Sequence, residues 1–215
     1  MADYILFDLD GTLTDPGEGI TNSVAYALSK YGIEVEDKTT LNTFIGPPLH
    51  ESFQKYFGFS TLLSFDAVTK YREYYRDRGI FENRLYDGVT DMLKGLKKKG
   101  KTLIMATSKP TVFAERIAEH YGFLEYLDVL VGSELDGKRV DKAEVIEEAL
   151  RQAGCPNKDK CIMVGDRMHD VLGAKKNGLY SVGVLYGYGS LDELKDAGAD
   201  TVVETVNELF DFLNK

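Results

Sequence analysis

The sequence predicts an α/β protein: a parallel sheet covered by helices on both faces, with a small all-helical block inserted after the first strand. Three observations carry this. Short apolar runs alternate with helical patterns through the whole chain after Asp87. Those runs are continuous rather than alternating, as expected of strands buried on both faces. From Gly19 to Asn83 the periodicity is helical, with no convincing strand.

The elements follow in order. Tyr4–Asp8 is a short apolar run bounded by Gly11 and reads as a buried strand. Ile20, Val24, Ala27, Leu28 and Tyr31 recur at helical spacing, and Gly32 ends the pattern. Helices follow at about Leu49–Phe57 and Leu62–Arg78. Asp87 is placed to cap a helix bearing Val89, Met92, Leu93 and Leu96 on one face. Lys97, Lys98 and Lys99 complement the dipole at its end, and Gly100 stops it. Strands are expected at Thr102–Ala106, Val129–Val131, Cys161–Val164, Ser181–Leu185 and Thr201–Val203. Helices are expected at Thr111–Tyr121, Lys142–Ala153, near Val171–Asn177 and Leu191–Asp196, and at Val206–Leu213. The expected organisation is a core of residues 1–15 and 84–215 and a helical cap of residues 16–83.

Composition narrows the function. The net charge of −9 argues against binding nucleic acid through bulk charge. An anionic small substrate needs local positive groups or a metal ion to offset that background. Cys155 and Cys161 show no metal-ligand spacing and read as thiols in a reducing compartment. No apolar run is long enough to span a membrane, and no signal-like segment precedes Asp8. A cytoplasmic protein is expected, a monomer or else a dimer, with no nucleic-acid or membrane partner.

Right-handed crossovers bring the C-terminal ends of parallel strands to one edge, where ligands bind. Three strand ends carry reactive groups. Asp8, Asp10 and Thr12 follow the first strand. Thr107, Ser108 and Lys109 follow another. Asp166, Arg167, His169 and Asp170 follow a third. Each alone reads as a cap or turn; together they read as a site. Asp8, Asp10 and Asp166 are hard oxygen donors with no competing His/Cys cluster, which points to Mg²⁺. Lys142 and the hydroxyls of Thr107 and Ser108 are suited to phosphate oxygens. A carboxylate can act as nucleophile and form an acyl-phosphate. A second carboxylate two residues on can protonate the leaving oxygen and then activate water.

These residues resemble the motifs of the haloacid dehalogenase (HAD) superfamily. Asp8-Leu9-Asp10-Gly11-Thr12 matches its first motif, DxDGT; Thr107 matches the second; Gly165-Asp166-Arg167-Met168-His169-Asp170 matches the fourth, GDxxxD. Lys142 is the candidate for the third, with Lys138 as its rival, because the branch often places proline after that lysine and Ala143 stands here. The resemblance implies a Rossmann-like core and, in the insert, the helical cap of the phosphoglycolate phosphatase-like branch. It implies that Asp8 is nucleophile and metal ligand. Asp10 would be acid/base and give its backbone carbonyl to the metal. Asp166 would ligate Mg²⁺, and Asp170 would act on it directly or through water. Thr107 with the backbone of Ser108 and Lys109 would hold phosphate. Ser108 stands where the branch frequently has asparagine.

Hinges are expected at Thr14–Gly19 and Asn83–Gly88, and their closure would exclude water. Gly46 and Pro47, in Ile45–Leu49, read either as a stiff turn between cap helices or as a substrate-specificity loop. The glycine-rich Tyr186–Ser190 follows a strand near the edge and could border the site. The implied reaction is Mg²⁺-dependent hydrolysis of a small phosphorylated metabolite, phosphoglycolate being the family-suggested substrate. Nucleoside 5'-monophosphatase, pyrophosphatase and β-phosphoglucomutase-like phosphomutase are the alternatives. The intact acidic set argues against a non-enzymatic binding protein on the same fold.

Overall fold

A computed structural model describes residues 2–215. Six strands form one parallel sheet: β1 (Tyr4–Phe7), β4 (Thr102–Pro110), β5 (Val129–Ser133), β6 (Cys161–Gly165), β7 (Tyr180–Val184) and β8 (Thr201–Val203). Their spatial order is β5-β4-β1-β6-β7-β8. Two short strands, β2 (Thr14–Asp15) and β3 (Arg84–Leu85), stand apart from it. The helices are α1 (Gly17–Ser29), α2 (Leu49–Phe57), α3 (Thr61–Tyr75), α4 (Val89–Lys98), α5 (Thr111–His120), α6 (Lys142–Gln152), α7 (Met168–Asn177), α8 (Leu191–Ala197) and α9 (Val206–Leu213).

The chain divides into two compact units, Met1–Asp15 with Leu85–Lys215 and Pro16–Arg84. In the first, Ile5, Leu6 and Phe7 are fully buried because β1 has a neighbouring strand on each side and helices over both faces. Burying each such side chain contributes about 1.5–3 kcal/mol. One face is filled by Leu6, Ile104, Val131, Ile146 and Met163, which pack in one cluster. In the second unit α1, α2 and α3 gather around Val24, Leu28, Phe44, Phe53 and Tyr71. The α1 backbone approaches the segment after α3 so closely that a Cβ on Gly19 would lie 1.9 Å from the Gly79 carbonyl oxygen.

One local expectation is corrected. Asp87 does not cap α4. The cap position is Gly88, left-handed at φ 87°, with no side-chain cap bond. The chain turns between Tyr86 and Val89, whose N–H donates to the Tyr86 carbonyl at 3.2 Å, which leaves Asp87 one residue too early. At the end of α4, Lys97 Nζ lies 2.6 Å from Asp128 Oδ1. Asp128 Oδ2 also accepts the Leu103 N–H at 2.8 Å, joining the helix end to the sheet.

The order of connections positions the site. From β1 the chain goes to β4 and β5 on one side, then returns to β6 on the other. The order in which the chain adds strands reverses between β1 and β6, which pair parallel, and ligands bind at such switch points outside the strand C-termini.

Candidate active site

Asp8 is the residue after β1. In the register, Phe7 stands opposite Met105 of β4 and Val164 of β6. Asp8 N–H donates to the Val164 carbonyl at 2.9 Å. The residues at the C-terminal ends of these three strands therefore share one edge; β4 runs on past its expected end at Ala106 to Pro110, so Thr107, Ser108 and Lys109 lie within it.

The turn after Asp8 is tight. The Leu9 carbonyl accepts from Thr12, Leu13 and Thr14 N–H at 3.2, 2.9 and 3.0 Å. Gly11 adopts φ 81°, and a Cβ there would sit 2.1 Å from Asp166 Oδ2. Glycine therefore satisfies both the left-handed conformation and the approach of Asp166. Asp166 is fully buried. Its Oδ2 accepts the Tyr188 N–H at 2.8 Å, and Thr12 Oγ1 approaches its Oδ1 at 3.5 Å.

Lys142 opens α6 behind the cap residue Asp141, whose carboxylate accepts the Ala143 N–H at 2.7 Å. Its side chain crosses α7 at Gly173, where a Cβ would lie 2.8 Å from Lys142 Cγ. It reaches the strand ends: Nζ lies 2.9 Å from Asp8 Oδ1 and 2.8 Å from Asp170 Oδ1, and donates to the Ala106 carbonyl at 3.2 Å. Asp170 also accepts the Arg167 N–H at 3.1 Å, which locks the start of α7. Lys138 instead is exposed and pairs with Asp136 at 2.8 Å. Of the two candidate lysines, Lys142 is the one beside Asp8.

Thr107 is buried, and its Oγ1 accepts the Lys109 N–H at 3.2 Å. Ser108 is partly exposed; its Oγ donates to the Val140 carbonyl at 3.4 Å, and its own carbonyl accepts from Ser133 Oγ at 2.7 Å. Lys109, expected beside phosphate, turns its Nζ to the Asp10 carboxylate. The other Asp10 oxygen, Oδ1, is buried with no hydrogen-bond partner among the described residues. Gly46 and Pro47 lie in the helical unit, in the turn leading into α2, with Gly46 at φ 102°.

The Tyr186–Ser190 segment takes a larger part than its glycines suggested. Tyr186 OH donates to the Thr12 carbonyl at 3.1 Å, and Tyr188 OH donates to Asp15. A Cβ on Gly187 would lie 2.3 Å from the Gly11 carbonyl and 2.5 Å from Asp166 Cβ. The sequence signal was a glycine-rich loop after a strand, and that pattern says nothing about which side chain it presses on. Gly187→Ala is expected to displace Asp166 and weaken metal binding by about 10–100-fold. Titrating Mg²⁺ against activity tests this, and an unchanged Mg²⁺ dependence would show that Asp166 needs no such buttress.

One oxygen each from Asp8, Asp166 and Asp170 lies within 4.8 Å of the others. All three residues are buried. Burial and the neighbouring Asp170 push the Asp166 carboxyl up to about 8. Burial and the nearby Asp8 raise Asp170 to about 6, even against the pull of Lys142. Burial also raises Asp10, against the opposing charge of Lys109. Burial alone would lower Lys142, but the charges of Asp170 and Asp8 outweigh it and hold it above the ordinary lysine value. An all-oxygen, buried and electrostatically crowded donor set fits a hard divalent cation.

A pH dependence follows. Without a cation, Asp166 carries its proton below about 8 and Asp170 below about 6. A cation needs both ionised, so binding releases protons and strengthens as pH rises from about 6 to about 8. The metal-free fold holds protons that the unfolded chain has lost above about pH 4, so these groups make it less stable as pH rises from about 4 to about 8. Calorimetric Mg²⁺ titrations in two buffers of different ionisation heat should show proton release; buffer-independent heats would contradict it.

Comparison with known proteins decides the family. The family described as haloacid dehalogenase-like hydrolase matches residues 5–184. The chain belongs to the haloacid dehalogenase-like hydrolases. This hydrolase is 50% identical over 191 residues to a protein of Pseudomonas aeruginosa named 5'-nucleotidase, covering 89% of this chain and 86% of the relative. It is 38% identical over 208 residues to tyrosine-protein kinase PtkA of Mycobacterium tuberculosis, covering 95% and 70%. A crystal structure of a predicted phosphatase from Clostridium acetobutylicum superposes with TM-score 0.96 at 49% identity, over 100% of this chain and 99% of the other. This HAD hydrolase is a phosphatase, a hydrolase of phosphoric monoesters. Phosphatases of the family generally use a divalent metal ion, and the buried aspartate cluster suits one. None of the helices among the described residues is long and apolar enough to cross a membrane.

Proposed function

We propose that this HAD phosphatase is Mg²⁺-dependent and hydrolyses nucleoside 5'-monophosphates through an aspartyl-phosphate on Asp8. The observation that carries the chemistry is the placing of Asp8 at the switch point, 2.9 Å from a buried lysine, with a second carboxylate two residues on held by Lys109. The substrate class is supported by the 50% identity to the relative named 5'-nucleotidase.

Asp8, Asp166 and Asp170 would hold Mg²⁺, with the backbone carbonyl of Asp10 as a further ligand. Bound there, the ion supplies positive charge that offsets the cluster and the phosphate. The remaining chemistry belongs to the chain. An Asp8 carboxylate oxygen attacks phosphorus, and the ester P–O bond breaks as Asp10 gives the leaving oxygen a proton. Asp10 then takes a proton from water as that water attacks phosphorus, releasing phosphate and restoring Asp8. Lys142 balances charge on Asp8, and Thr107 with the amides of Ser108 and Lys109 positions the phosphoryl oxygens. Phosphoryl transfer asks mainly for this positioning and charge stabilisation.

The kinship with PtkA favours a second reading, in which Asp8 passes the phosphoryl group to an acceptor hydroxyl instead of water. Phosphate release should be measured from nucleoside 5'-monophosphates, phosphoglycolate, pyrophosphate, glucose 1-phosphate and a phosphotyrosine peptide, with Mg²⁺ and with chelator. The expected result is Mg²⁺-dependent release, fastest from the 5'-monophosphates. Preference for phosphoglycolate would overturn the substrate, and release undiminished by chelator would overturn the metal. Transfer to an added acceptor without free phosphate would favour the second reading.

A further inference from the structure

Cys155 and Cys161 meet at the foot of β6. Cys161 is the first residue of that strand and is buried; Cys155 is half-buried in the loop after α6. The turn of Asn157–Lys160 reverses the chain between them. Their sulfurs come to 2.8 Å, well inside the sum of two sulfur radii. Both also face the Asn157 carbonyl, at 3.5 and 3.6 Å. Both thiols are free. The active site is at the other end of the strand: four residue steps separate Cys161 from Gly165, about 13 Å at strand rise.

We propose that Cys155 and Cys161 form a reversible intramolecular disulfide on exposure to a hydroperoxide, and that this tie stabilises the fold without altering the active site. Cys155 acts first because it reaches solvent. Its thiolate sulfur attacks the terminal peroxide oxygen, the O–O bond breaks, and the alkoxide leaves as an alcohol after protonation. The Cys161 sulfur then attacks the resulting sulfenic sulfur, the S–S bond forms, and hydroxide leaves as water with the Cys161 proton. Two thiols lose two electrons, and the hydroperoxide gains them. Burial pushes the Cys161 thiol up, which suits it to the second step rather than the first.

The sequence makes the product easy to see. Lys158 and Lys160 stand between the cysteines, so trypsin separates them unless a disulfide joins the two peptides. The full-length protein should be treated with hydrogen peroxide, blocked with iodoacetamide and digested without reductant. The expected product is one linked pair of peptides, carrying Cys155 and Cys161, that dithiothreitol separates and that Cys155→Ser lacks. The oxidised wild type should melt roughly 5 °C higher, as a short ring of this kind constrains the unfolded chain. Its phosphate release should match that of the reduced protein. Two freely alkylated thiols, sulfinic acid at either position, or disulfides only between molecules would overturn the proposed tie. Activity lost on oxidation in wild type but kept in Cys155→Ser would overturn its purely structural role. Cys161→Ala, which cannot form the link but keeps an apolar core residue, serves as the second control should Cys155→Ser fold poorly.

Discussion

Asp8→Asn is expected to lower phosphatase turnover by about four orders of magnitude or more, the scale on which enzymes lose activity when a covalent nucleophile is removed. The substitution keeps the size of the side chain, so the turn from Leu9 to Thr14, built on backbone hydrogen bonds, should persist. It also takes one negative charge from a cluster in which burial and crowding already raise Asp166 and Asp170. Thermal stability in chelator should therefore stay near wild type or rise. That combination, an inactive and well-folded protein, separates a chemical role from a structural one. The intermediate supplies the direct test. Wild-type protein quenched during turnover should carry one phosphoryl group on the peptide containing Asp8, and the variant should carry none. Turnover in Asp8→Asn within tenfold of wild type would rule out Asp8 as the nucleophile.

Lys142→Met should show the opposite pattern, with large losses in stability as well as activity. Lys142 is 5% exposed, and its single charge is shared by Asp8 and Asp170. Methionine preserves the apolar stem but leaves two buried carboxylates without their cation. Breaking a buried pair by removing one partner costs about 3–5 kcal/mol, because the stranded charge must be protonated or left uncompensated. Urea unfolding in chelator is the measurement. Saturating Mg²⁺ should recover part of the loss, since an ion bound to the same carboxylates stabilises only the folded state. Activity should fall by about two to three orders of magnitude, in the range seen when one stabilising charge or donor is taken from a transition state. A stability change below about 1 kcal/mol would mean that Lys142 is not the charge that makes the cluster tolerable.

The two substitutions bear on how the site could be read in advance. Asp8, Thr107 and Asp166 were legible because a parallel sheet aligns the C-terminal ends of its strands whatever the side chains do. It was enough to find β1, β4 and β6 and to look at the C-terminal end of each: Asp8 and Asp166 stand one residue beyond their strands, and Thr107 lies in the last residues of β4. Lys142 and Lys138 were not separable on those grounds. Both stand in the stretch between β5 and α6 or at its end, and only the helix start at Lys142, with the space left by Gly173, sends one side chain inward. Lys109 shows another limit. The expectation concerned its backbone; that its side chain turns onto Asp10, alongside a register shift between Ala106 and Pro110, had no signal in the sequence. The Asp87 cap failed for a local reason: a left-handed glycine at Gly88 opened α4 in its place.

By itself the sequence determined the parallel α/β class, the all-helical block between Gly19 and Asn83, and the acidic and hydroxyl residues that crowd one edge. These are properties of periodicity and chain order, which hold for any packing that buries the same strands. Only the tertiary structure decided which lysine neutralises Asp8, that Gly187 presses against Asp166, that Tyr188 anchors the same carboxylate through its N–H, and that two thiols six residues apart face each other at 2.8 Å. Those relations depend on where side chains and loops meet across the fold. An ångström of displacement makes or breaks each one, and local pattern carries no information at that scale.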